Sequence, residues 1–174
     1  MLVSFGALTQ KQVVRMGDSD LLTEITQLLI SGIVNKSEPT LKNLYKDNDI
    51  TFAMKDECTA RMHSVLDFIR GNLGDFAGGF LFKSYVLYSL CAALMYNRWG
   101  APTWADNDQP SSGHFWEDVE AARTGLNALC DAHETQDING PYAEYVVACL
   151  STTHRVAQRQ TRANWLLRAL NGHL

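Results

Sequence analysis

Apolar residues along this chain recur at helical spacing, and no stretch of any length alternates strictly, which predicts α-helices and no sheet. Thr9 followed by Gln12 forms a capping-box pattern opening a short first helix, TQKQVVRM, that Gly17 ends. A second helix starts at Asp18, Ser19 and Asp20, with Leu21, Leu22, Ile25, Leu28, Leu29 and Ile33 on one face. After the turn NKSEP comes a short helix around Leu41, Leu44 and Tyr45, ended by KDND. Cys58, Met62, Val65, Leu66, Ile69 and Leu73 then form another stripe, with Asp56, Glu57, Arg61, Asp67 and Arg70 toward solvent. From Phe80 to Tyr96 the polar residues are only Lys83, Ser84 and Ser89, apart from tyrosine hydroxyls, which marks a helix apolar on most sides and central to the core.

The segment RWGAPTWADNDQPSSG, residues 98–113, has two prolines and turn residues and is the longest loop, a length that belongs to functional or mobile segments. A long helix follows with Phe115, Val119, Ala122, Leu126, Leu129 and Cys130 inward. Asn139-Gly140-Pro141 breaks it and starts a helix that turns Tyr145, Val146, Cys149 and Leu150 inward. A final helix buries Ala163, Leu166, Leu167 and Leu170 and stops at Asn171-Gly172. The expected fold is all-α, one domain over residues 1–174, with seven or eight helices around an apolar central helix at about 80–96.

Composition fits that picture: 174 residues, 46% hydrophobic and 20% charged, are enough for a packed core without a metal or disulfide staple. The dispersed Cys58, Cys91, Cys130 and Cys149 read as free buried thiols of a reducing cytosol. The N-terminus has no basic leader, and no apolar run reaches the ~20 residues that span a bilayer. A cytoplasmic protein that avoids membranes is expected.

Charge changes the picture more than composition does. The net charge is −4, yet residues 101–150 sum to −8, through nine acids that include Asp106 and Asp108 against Arg123. Residues 151–174 carry four arginines and no acid. Such a tail either pairs with the acidic helix from Glu117 to Glu134 or offers a basic surface to a partner.

Little else looks like chemistry. GDFAGGFLFKS spaces Gly74 and Gly79 as a phosphate loop does, but Phe80, Leu81 and Phe82 separate the glycine from Lys83 and Ser84, and no strand precedes them. It reads as an interhelical connection, with Lys83 at the wet end of the next helix. His114 with Glu117 and Asp118, and His133 with Glu134 and Asp137, put polar groups a turn apart, yet no other helix supplies matching ligands; solvated faces explain them. His63 reads as a surface residue. No nucleophile motif occurs, and neither catalytic residue, cofactor nor metal is expected. The tail remains: Arg155, Arg159 and Arg162 recur at i, i+4 and i+7, a face suited to nucleic-acid phosphates, with Trp99 or Trp104 to stack on a base.

QVVRMGDSDLLTEI, with Arg15, Met16, Asp18 and Glu24, and STTHRVAQRQTRANWLLRAL together resemble the helical C-terminal half of ParB-like, GmrSD-type nuclease proteins. FLFKSYVLYSLCAALM is similar in style to that family's F-x-K-x-x-x-Y-S-L-like helix. In the family a preceding domain with a D-G-Q-Q-R motif carries the nucleotide-dependent chemistry; no such motif occurs here, so the resemblance carries no nuclease residue over. It implies a non-enzymatic helical accessory domain of a restriction-type defence system or mobile element, with a protein partner or self-association. Two alternatives stand beside it: a nucleic-acid module using the C-terminal arginines, and an enzyme with a pocket near the 98–113 loop and His114, Glu117 and Asp118 as acid-base groups.

Overall fold

The computed structural model describes residues 1–105, 107 and 109–174; Asp106 and Asp108 of the acidic run lie outside the described residues. Among the described residues the chain is all-α, with helices α1 (Gln10–Val14), α2 (Gly17–Ser31), α3 (Glu38–Asp47), α4 (Lys55–Asn72), α5 (Ser84–Trp99), α6 (Val119–Thr135), α7 (Ala143–Leu150) and α8 (Val156–Leu170). Local chemistry sets several ends. The Thr9 hydroxyl accepts from the Gln12 amide at 3.2 Å, and the Gln12 side chain accepts from the Thr9 amide at 2.7 Å, closing the capping box. Ser37 caps α3, and the Asp118 carboxylate caps α6 through the Ala121 amide at 3.0 Å. Asn171 and Gly172, the latter at φ +68°, stop α8. Gly17 does not end α1; it opens α2 directly, and a side chain there would strike the Gln12 carbonyl at 2.9 Å.

α5 is the axis of the bundle. Every residue from Val86 to Met95 is buried, because α8 lies along one side while α2 and α4 cover others. α6 and α7 pack on α8 and on each other. The central helix begins at Ser84 rather than at Phe80: Phe80–Phe82 forms a 3-10 turn that drops Leu81 and Phe82 into the core, and Lys83 stays exposed in an extended conformation. A second such turn, Gly74–Phe76, precedes it. Between them Gly78, at φ +80°, donates its amide to the Phe5 carbonyl at 2.9 Å, and a Gly6 side chain would stand 3.0 Å from the Gly78 Cα. Leu150, expected inward, is 44% exposed as the last residue of α7, and Leu22 is half-buried.

The 98–113 connection is held by one buried side chain. Asn97 donates through Nδ2 to the Phe115 carbonyl at 3.2 Å and to Asn171 Oδ1 at 2.8 Å, and its Oδ1 accepts from the Ser112 amide at 3.2 Å. Tyr96 donates to the Gln109 carbonyl at 2.8 Å, and Trp104 Nε1 to Asn164 Oδ1 at 2.6 Å. Asn97 is wholly buried, so truncating it strands all three partners. Asn97→Ala is expected to lower unfolding stability by about 2–3 kcal/mol, read from urea denaturation, and to speed proteolytic cutting within residues 98–113.

Candidate functional site

The C-terminal arginines do not share a solvent face. Arg155 is exposed, whereas Arg159 and Arg162 are 3% and 0% exposed, so the expectation of a three-arginine surface is corrected. Helical phase gives the reason: positions 159, 162 and 163, 166 and 170 follow one stripe, and that stripe faces α5. Arg159 pairs with Glu24 of α2 rather than with the acidic helix, donates to the Val34 carbonyl at 3.1 Å, and lies 4.0 Å above the Tyr88 ring. Glu24's other oxygen binds Lys36 at 2.5 Å. Arg162 donates to the Ala148 carbonyl at 2.5 Å, the Thr153 carbonyl at 2.6 Å and Ser89 Oγ at 3.3 Å. Its positive charge thus sits at the negative end of α7. Ser89, the polar interruption of α5, also donates to the Arg159 carbonyl at 3.3 Å.

Above the Glu24–Arg159 pair opens a cleft of about 320 Å3 between α1, α2, the start of α5 and the segment entering α8. That volume is at the lower end for small-ligand sites. Arg15, Gly17 and Asp20 stand at its α1–α2 wall, Glu24, Lys36 and Arg159 form an ion cluster, and Ser84, Tyr85, Tyr88 and His154 complete the lining. Tyr88 is 1% exposed, and its hydroxyl makes no well-formed hydrogen bond among the described residues. Burial raises its pKa, although the nearby Arg159 and the Val34 backbone favour the phenolate without reaching bonding geometry; the group stays a neutral phenol. Partial desolvation, then the Lys36 and Arg159 charges, lower the pKa of His154.

Other candidates fall elsewhere. His114, Glu117 and Asp118 are all exposed, with the Asp118 carboxylate engaged as the α6 cap. Trp99 and Trp104 are half-buried, packed edge-on against Phe115 at 5.7 Å and Tyr96 at 5.1 Å. His63 is exposed, as expected. His133 is not on a solvated face: it is 2% exposed, 3.3 Å from the Tyr85 hydroxyl through Nε2 and 4.5 Å from the Phe80 ring, with Nδ1 unpartnered among the described residues. Burial, reinforced by the Arg162 and Lys83 charges, pushes it down to about 4. All four cysteines are free thiols; burial pushes Cys91 and Cys149 up to about 12 and Cys130 to about 11, away from nucleophilic use. Among the described residues no group of three His, Cys, Asp or Glu gathers in a metal-holding geometry, and no helix is long and apolar enough to cross a membrane.

No family model, curated protein or solved structure matches the chain. Sequence reasoning missed Glu24, Gln27 and His133 as interior groups. The usable signal was phase: Glu24 falls between Leu21 and Leu28, and His133 follows Leu126 and Leu129.

Two predictions follow from this geometry. Glu24→Gln removes the charge that both Lys36 and Arg159 face and is expected to cost about 3 kcal/mol, measured as a shift in the urea midpoint at constant slope. The His133 ring binds a proton only near pH 4 when folded but near 6.5 when unfolded, so protons favour the unfolded chain. His133 therefore contributes full stability above about pH 6.5 and loses it as pH falls toward 4. In His133→Asn the decline of the midpoint between pH 7 and pH 5 is expected to be shallower than in the parent, whatever the variant's absolute stability.

Proposed function

We propose that the protein is a non-enzymatic helical accessory domain that works by binding a protein partner, similar to the C-terminal part of restriction-type defence proteins. The observation that carries this is an open apolar groove between α2 and α3. α3 buries none of its residues completely, and a cavity of about 310 Å3 lies beside it, with Ile30, Leu44, Tyr45 and Phe52 as its apolar lining and Thr23, Thr26, Asn48 and Asp49 as its polar edge. Ile50, next to that groove in sequence, is 97% exposed, and Tyr45 is 62% exposed. Apolar side chains left in water beside a groove are the usual mark of a contact surface.

The resemblance to ParB-like, GmrSD-type proteins has a spatial counterpart. The stretches that carry it supply Arg15 and Glu24, Tyr88, and Arg159, which line one cleft although they come from both ends and the middle of the chain. On this reading a domain bearing the D-G-Q-Q-R motif is the natural partner.

Sedimentation velocity of the whole chain mixed with such a domain provides the test. A defined complex is expected, weakened at least tenfold by Ile50→Asp or Tyr45→Asp, since truncating or charging a central contact costs ~2 kcal/mol or more. Both sites are exposed, so the fold should survive either change. A chain that binds no such domain, or binds it equally well with both substitutions, overturns the proposal.

A further inference from the structure

Beyond association, we infer that the cleft between α1, α2 and α5 is a binding site for a small oxyanion, the phosphate or carboxylate group of a small molecule, held by Arg15, Lys36 and Tyr88. Hydrogen-bond arithmetic at the cleft leads to this. Each oxygen of Glu24 faces a cation, one Lys36 and the other Arg159, so the charge of the deepest carboxylate is more than offset. Lys36 has two further ammonium protons, and the Arg15 guanidinium makes no ion pair among the described residues. Tyr88 adds a buried phenol without a well-formed bond, and Ser84 a further hydroxyl. Against these donors the cleft presents one carboxylate without an ion-pair partner among the described residues, Asp20, which is exposed and stands at the rim. Three cations against two acids leave the lining net positive.

The start of α2 points the same way. This fifteen-residue helix begins at Gly17 in the cleft wall, and its N-cap, Met16, is left-handed and supplies no side-chain acceptor. An anion there meets uncapped amides and the positive end of the helix dipole. The two acids of that first turn, Asp18 and Asp20, oppose it only partly: Asp18 does not line the cleft. A buried hydroxyl without a partner is costly in the empty protein, and an oxyanion is the ligand that satisfies Tyr88, Arg15 and Lys36 together.

The test is an amide NMR titration of the full chain with inorganic phosphate and, separately, with malonate, each against sodium chloride at matched ionic strength. Saturable shifts centred on residues 15–20 and Tyr88 are expected with one or both probes, at an affinity of ~1 mM for so few atoms. Saturation by phosphate alone assigns a phosphoryl ligand and by malonate alone a carboxylate. Arg15→Gln, at an exposed site outside the ion cluster, should weaken binding about tenfold. Tyr88→Phe should weaken it about threefold or more while leaving the urea midpoint unchanged or higher, because the free protein loses only an unpartnered hydroxyl. Shifts that never saturate, or equal those in sodium chloride, overturn the inference. So does saturable binding that neither substitution weakens. Neither result bears on the α2–α3 groove, whose variants are read by sedimentation.

Discussion

The Glu24 carboxylate, shared inside the bundle between Arg159 and Lys36, is the constraint around which the helices arrange themselves. Withdrawing these charges from water costs several kcal/mol per ion, so the pair is weak as a source of net stability and strong as a penalty on any other arrangement. Rotating α8 would bury Arg159 against hydrocarbon; rotating α2 would leave Glu24 without a counter-ion. Arg162 adds a second constraint from the same helix, closing the carbonyl end of α7 and reaching Ser89 on α5. Two arginines one turn apart thereby fix α2, α5 and α7 relative to α8, whereas the apolar residues around them set only the closeness of packing.

α2 has a place in both of the surfaces described above. Its Gly17, Asp20, Leu21 and Glu24 edge lines the polar cleft, while Thr23, Thr26 and Ile30 line the apolar groove against α3. The contrast between these surfaces is chemical: one gathers Arg15, Lys36 and Arg159, the other sets Ile30, Leu44, Tyr45 and Phe52 beside uncharged polar groups and Asp49. A helix carrying both has to be held firmly, and the buried Glu24 pairing does that.

The helical architecture was legible because the hydrophobic period is strong and the caps are explicit: Thr9 with Gln12, Asp118, and Asn171 with Gly172 act as their types suggest. The start of α5 was less so. FLFKS has an apolar run that suits a helix, but the Gly78–Phe5 contact holds the preceding chain where a 3-10 turn fits better. The buried polar residues were misjudged for a single reason. Arg159, Arg162 and His133 were assigned to solvent by chemical type, although their positions are in register with Leu166, Leu170, Leu126 and Leu129. Phase carries the geometry, and type indicates only that a partner must be found. For Arg159 that partner is Glu24, 135 residues away, where no local pattern could show it.

The same distance has a kinetic meaning. Arg159 meets Glu24 across 135 residues, and the Val156 amide at the head of α8 finds its acceptor in Asn35 at 2.7 Å, across 121 residues. Most helical bundles assemble from neighbours in sequence and fold quickly for that reason. Here the second helix and the last must meet before Glu24 and Arg159 can leave water as a pair, so the entropy of closing a loop of 135 residues is part of the folding barrier. The two ends of the chain are thereby tied to each other, and loosening α8 deprives Glu24 and Asn35 of one partner each.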